Sequence, residues 1–203
     1  MKKAFLTAWL LLLAPLAPAS ELRGLIGVNW NKYLAAGEMT DLSWRSKSGT
    51  SIGLGWAFDL DRRLQLEVEA LFSTKGAKVE LAYDDSGSIP GIYQNTTIAI
   101  PVLCRFRARE GASPYAAIGP ELDLILAHHL ILPESGESID LSDNTRKIII
   151  GFDALIGYQI PVGSWKLFAE LRYSRWLNSM LKLPGATVKG ESFAVLLGGS
   201  FDL

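Results

Sequence analysis

Between Arg63 and Ser73 the chain alternates: Leu64, Leu66, Val68, Ala70 and Phe72 stand against Arg63, Gln65, Glu67, Glu69 and Ser73. Residues two apart in an extended strand share one face, so this segment has one apolar side and one charged side. A comparable split recurs about eight times from Leu22 to the C-terminus. It predicts strands near residues 22–30, 51–60, 63–73 (extending toward Leu81), 98–107, 115–127, 148–159, 165–174 and 192–203. Pro101 cannot donate to a ladder, so an irregularity is expected in the fourth strand.

The connections alternate in length. Long ones run through Ala35–Gly37 with Ser46–Gly49, through Asp84–Ser88 with Pro90-Gly91, through Pro133–Gly136, and through Asn178 with Pro184-Gly185. Short ones fall at Asp59–Arg62, Glu110–Ser113 and Val162–Ser164. An even-stranded up-and-down barrel with both chain ends on one side has this rhythm, and strands of about 9–13 residues suit a tilted membrane crossing. The expected fold is therefore all-β: an eight-stranded antiparallel transmembrane β-barrel.

A soluble eight-stranded barrel would show the same alternation with its faces reversed, the apolar one inward. Here the apolar positions are bulky, while the other face carries Gly27, Gly53, Gly55, Ala57, Ala99, Gly151, Gly157 and Gly198. Small residues suit a crowded interior and large aliphatic ones an open lipid surface. Trp30, Trp56, Tyr158, Trp165, Tyr173 and Phe201 lie near strand ends, where interfacial girdles form.

That orientation turns the charges inward. Arg23, Arg63, Arg105, Arg107, Lys166 and Arg172 then face Glu67, Glu69, Glu121, Asp123, Asp153 and Glu170. Buried charges of opposite sign should pair, and the expectation is a network that plugs the lumen.

Ahead of the strands, Lys2 and Lys3 precede the apolar run Ala4–Leu13 and the small residues Ala17-Pro18-Ala19. This reads as a signal peptide over residues 1–19, cleaved between Ala19 and Ser20, leaving a barrel domain over 20–203; a retained anchor is the alternative. Removing residues 1–19 takes two lysines and no acids, so the formal balance becomes 18 − 21 = −3. No concentrated basic patch suggests nucleic acid, and no later run of about 18 apolar residues suggests a spanning helix. Cys104 is the single cysteine and reads as a small apolar strand residue.

Several motifs carry a family likeness: Ile100-Pro101-Val102-Leu103, Pro114-Tyr115-Ala116-Ala117-Ile118-Gly119-Pro120, Gly151-Phe152-Asp153-Ala154-Leu155-Ile156-Gly157, Glu170-Leu171-Arg172-Tyr173 and Leu197-Gly198-Gly199-Ser200-Phe201. Through them the chain resembles the PorT-type outer-membrane β-barrel domain family, small secreted barrels often labelled porin family proteins. The resemblance implies an outer-membrane location, an Ile-Pro pair at Pro101, and a C-terminal signal for the barrel insertion machinery. The ending Phe201-Asp202-Leu203 departs from the aromatic last residue usual there.

Candidate chemistry is sparse. His128 and His129 are adjacent, so on a strand they point to opposite faces; a metal site would need Glu134 or Glu137 to fold back, and a hydrolase would need Ser135 or Ser138 placed beside a histidine. No catalytic set, metal site or cofactor is expected. The favoured function is a structural or interaction scaffold presenting four external loops, with Trp44, Tyr83 and Tyr93 as exposed contact aromatics. The alternatives are a component of a protein secretion machine, which the PorT likeness implies, and a narrow solute- or lipid-handling barrel. Expected partners are outer-membrane lipid, the insertion machinery, and a protein bound at external loops or periplasmic turns.

Overall fold

The computed structural model describes residues 20–37, 43–83, 87–109, 111–182 and 185–203. Of the expected cleavage pair, Ala19 lies outside the described residues and Ser20 is the first within them. Among the described residues the strands are β1 (Glu21–Gly37), β2 (Ser43–Asp59), β3 (Leu64–Tyr83), β4 (Gly87–Arg107), β5 (Ser113–Leu132), the four-residue β6 (Glu137–Asp140), β7 (Ile148–Val162), β8 (Trp165–Trp176) and β9 (Ala186–Asp202). Each long strand pairs antiparallel with its chain neighbour, β1 pairs with β9, and β4 pairs with β5, closing a ring of eight. Strand β6 stands outside the ring, folded back on the end of β5 by the turn at Gly136.

The wall has the expected polarity. Ile26, Ile118, Ile156 and Phe193 are each 61% exposed on the outside, whereas Arg23, Glu67, Arg105 and Asp153 are buried within. An apolar exterior around a charged interior is stable only where the exterior meets hydrocarbon. Trp30, Trp56, Tyr158, Trp165 and Phe201 are all exposed on that outer wall. Cys104 is outward as well.

The strands run well past their expected ends. Residues Ala35–Gly37, Ser46–Gly49 and Pro90-Gly91, read above as connections, belong to β1, β2 and β4. The reason is an inversion of the pattern. On β3 the inward positions from Gln65 to Lys75 are polar apart from Leu71, then change to Ala77 and Val79, while the outward position at 78 becomes lysine. Above the bilayer the outer wall meets water and the interior can be apolar, so the alternation persists with its sense reversed. Strands β3, β4 and β5 reach 20, 21 and 20 residues, roughly twice the 9–11 needed to cross hydrocarbon, so the barrel stands proud of the membrane at the long-loop end.

Two bulges adjust this upper section. One extra residue enters β2 between Ser46 and Ser51, and one enters β5 opposite Thr96 and Thr97. A one-residue slip moves every later side chain to the other face. Trp44 on β2, and His128 and Leu130 on β5, are thereby turned inward. The β3 ladder is interrupted at Ile100-Pro101 and the β5 ladder at Val102-Leu103, and both resume in the same register.

Candidate functional site

The lumen is crossed by a layer of ion pairs. Arg172 on β8 grips both carboxylate oxygens of Glu69 on β3 at 2.6 and 3.0 Å, and also reaches Glu170 at 3.1 Å and Asp153 at 3.4 Å. Arg23 on β1 donates to Glu170 at 2.7 Å, pairs with Glu67 on β3, and lies 3.6 Å from Glu69. Arg105 on β4 donates to Gln159 on β7 at 2.7 Å and sits 3.5 Å from Glu67 and 3.8 Å from Glu21. Nearer the mouth, Lys75 bonds Asp123 at 2.9 Å and Glu121 at 3.4 Å, and the Trp176 indole N–H donates to Asp123. The gap bordered by Asn31, Tyr33, Lys75, Ser174 and Trp176 is about 10 Å³, at the lower limit for one water.

Missing side chains make room for this layer. Tyr115 lies across the β5–β7 ladder from Gly157, and its ring fills the space a Cβ there would need. Phe168 stands in the same relation to Gly198 across β8 and β9. Arg23 sits 4.0 Å from the Phe168 ring centre and Arg105 4.3 Å from that of Tyr115, distances that add cation–π attraction. The Tyr115 hydroxyl donates to Glu170 at 2.8 Å, so one residue packs the wall and orients the network. Large residues over small ones are how a narrow barrel fills its bore.

Among the buried described residues, four cations (Arg23, Lys75, Arg105, Arg172) face seven carboxylates (Glu21, Glu67, Glu69, Glu121, Asp123, Asp153, Glu170), a formal balance of 4 − 7 = −3. Lys166, on the half-buried periplasmic side, adds a contact to Glu21 at 3.4 Å and a pair with Asp202. Two expected members fall elsewhere. Arg63 is exposed, because the Leu60–Leu64 turn occupies that stretch and β3 begins only at Leu64. Arg107 lies at the rim, 3.3 Å from Asp59 and from the Arg62 carbonyl. Glu67, Glu69, Arg105, Glu121, Asp123, Asp153, Glu170 and Arg172 all face the lumen. Lys75 and Glu21 complete the layer; each continues the inward alternation, Lys75 two positions after Ser73 and Glu21 two before Arg23.

The mouth is closed differently. Tyr33, Tyr93, Trp176, Met180, Leu181 and Val188 form an apolar cluster inside the upper barrel, with Trp44 packed against it. Trp44 and Tyr93 are therefore packing residues and not exposed contact aromatics; the side chain of Tyr83 lies outside the described residues. Asn95 donates to the Tyr33 hydroxyl at 2.6 Å. Two connections meet over this cluster: Thr145 bridges to Leu181, Arg146 N–H donates to the Met180 carbonyl at 2.7 Å, and Lys182 N–H to the Asn144 carbonyl at 2.9 Å. His128 ties in from below through Thr145 at 2.6 Å.

His129 points the other way, while Glu134, Glu137, Ser135 and Ser138 are exposed in the β5–β6 hairpin. Ser142 Oγ accepts the main-chain N–H of His128 and does not meet its ring. The Ser142 hydroxyl, and after it the Ser142 N–H that donates to Asp140 at 2.8 Å, hold the Asp140 carboxyl below its usual pKa. Among the described residues no three His, Cys, Asp or Glu side chains are gathered to hold a metal.

The fold is shared with a solved outer-membrane protein of little sequence likeness, and two others match less well. OprG from Pseudomonas aeruginosa matches at 10% identity and TM-score 0.54, covering 91% of this chain and 96% of its own. Ail from Yersinia pestis, solved with the heparin analogue sucrose octasulfate, matches at 17% identity and TM-score 0.48, covering 90% and 99%. Neisserial surface protein A matches at 13% identity and TM-score 0.46, covering 89% and 97%. No curated protein sequence matches this chain. The family described as "Outer membrane protein beta-barrel domain" matches residues 19–182, most of the chain; with its apolar wall and closed ring of eight strands, the protein belongs to that family and resides in the outer membrane.

Proposed function

We propose that this barrel is a non-conducting scaffold: its lumen is braced shut, and its work is done by the strand extensions and loops raised above the membrane. The observation that carries this reading is the Arg172–Glu69 pair, which links opposite walls through the middle of the bore. A solute path would have to separate several buried charges at once, and removing one partner from such a pair costs about 3–5 kcal/mol. The apolar cluster under the mouth adds a second barrier. Planar-bilayer recording of the refolded protein tests it: the expected trace shows no sustained current, and a stable open channel of fixed conductance overturns the plug.

A narrower reading makes the barrel a PorT-like component of a protein secretion machine. It rests on the motifs from Ile100-Pro101 to Ser200-Phe201, since a shared fold does not fix a role. Affinity capture from detergent-solubilised outer membrane separates it from a free-standing scaffold. Co-purifying export subunits support the machine; recovery of the barrel alone counts against it.

A further inference from the structure

The outer wall is not uniform around its upper edge. On three adjacent strands the rings of Tyr173 (β8), Phe193 (β9) and Trp30 (β1) lie side by side in register, facing outward. Tyr173 and Phe193 touch, with ring centres 4.9 Å apart. The next outward positions toward the mouth are Arg175, Glu191 and Lys32, and the one beyond on β9 is Lys189. Their neighbours Trp176, Asn31, Tyr33 and Val188 are buried in the lumen, which fixes these four on the outside.

Aromatic rings mark the boundary between hydrocarbon and headgroups. Cations one step beyond them stand at headgroup depth. Glu191 is taken up by Arg175 at 3.3 Å and by the Tyr173 hydroxyl at 3.3 Å. That leaves three cations to one carboxylate, a balance of 3 − 1 = +2, and among the described residues no further carboxylate pairs with the patch. Arg175 stays 45% exposed even while paired. The periplasmic ends of the same strands differ: Trp165 and Phe201 pack together with rings 5.6 Å apart, Lys166 turns inward, and the outward residue beyond Phe201 is Leu203.

We propose that the Lys32–Arg175–Lys189 patch docks the phosphate groups of a phosphorylated glycolipid of the outer leaflet, with its acyl chains lying along the Trp30–Phe193–Tyr173 surface. A guanidinium fork and two ammonium groups suit phosphate oxygens, and the aromatic row beneath them suits the chains. The patch occurs at the long-loop end, which faces the cell exterior, so the occupant is a lipid of that leaflet.

The test uses the full folded barrel in detergent, mixed with bis-phosphorylated lipid A or with its dephosphorylated form, and reads retained lipid by native mass spectrometry. Wild-type protein is expected to retain the phosphorylated lipid preferentially. Lys32→Gln/Lys189→Gln, which leaves the Arg175–Glu191 pair intact, is expected to lose about fivefold per cation removed. Adding Arg175→Gln should lower retention further. Arg62→Gln/Lys78→Gln, two exposed cations outside the patch, should retain lipid like wild type, and heat-modified gel mobility checks that each variant is folded. Equal retention of both lipids, unchanged retention by the patch variants, or equal displacement by phosphatidylglycerol overturns the proposal.

Discussion

Arg172 on β8 and Glu69 on β3 meet at 2.6 and 3.0 Å although their strands are four places apart whichever way the ring of eight is followed. No local rule pairs them. They touch because the barrel is narrow enough for one long guanidinium and one glutamate to span it, and because Gly55 leaves space beside Glu69 and Arg23.

Cutting that span should be costly and non-additive. Arg172→Leu leaves Glu69 buried beside Glu170 and Asp153, and a loss of about 3–5 kcal/mol is expected. Adding Glu69→Leu should recover part of it, with a coupling of about 1–3 kcal/mol. Urea unfolding of the vesicle-inserted barrel, followed by tryptophan emission, measures both. Strict additivity would show that the two side chains do not interact.

The glycine slots make a steric prediction. A Cβ at Gly157 would enter the Tyr115 ring, so Gly157→Val should destabilise by about 1–3 kcal/mol through overpacking. Gly24 faces outward with its nearest neighbour, the Gly199 carbonyl, at 4.0 Å. Gly24→Ala should therefore stay within about 0.5 kcal/mol of wild type. Similar losses at both sites would mean that Tyr115 is not seated over Gly157.

The two faces of β8 should respond in opposite ways. Leu171 is 56% exposed on the lipid side, and Leu171→Arg should cost about 2–4 kcal/mol if it lies near mid-bilayer. Ser174→Ala, on the lumen side, should change stability by no more than about 0.5 kcal/mol.

The mouth can be loosened without unfolding the barrel. Thr145 bonds both His128 at 2.6 Å and the Leu141 carbonyl at 2.8 Å. Thr145→Val removes both bonds, and cleavage within residues 133–147 by an added protease should accelerate while the urea midpoint of the barrel stays put. A matching fall in that midpoint would show that the cap is part of the cooperative unit.

Acid should act on the β6 end of the same region. The Asp140 pKa is depressed in the folded state, so its contribution is present above the unfolded carboxyl value of about 3.9 and is lost as pH falls through the lower folded value. The Ser142 amide resonance should shift over that acid range, and Asp140→Asn should abolish the shift.

Most of the membrane-embedded wall was readable because a bilayer imposes a two-residue code: apolar out, polar in. Leu64–Phe72 and Trp165–Tyr173 obey it except at Leu71 and Phe168, apolar residues that pack inside the bore. The code also located most of the lumen carboxylates and arginines. It overreached at Arg63, where a turn ends the alternation, and the expected charge network left out Lys75, which lies in the extension toward Leu81 and faces inward.

Above the membrane the same code misled, for two physical reasons. Water replaces hydrocarbon outside, so the apolar residues change sides and a strand resembles a loop. The bulges in β2 and β5 then shift phase by one residue, sending Trp44 and His128 inward against simple counting. Alternating local polarity thus determined, unaided, that the chain forms a barrel, which side meets lipid, and most of the charges that are hidden. Which charges clasp one another, and that Thr145 meets Leu181 over the mouth, were decided only by ring closure: these contacts join residues far apart along the chain, and their distances depend on the bore and stagger of the whole cylinder.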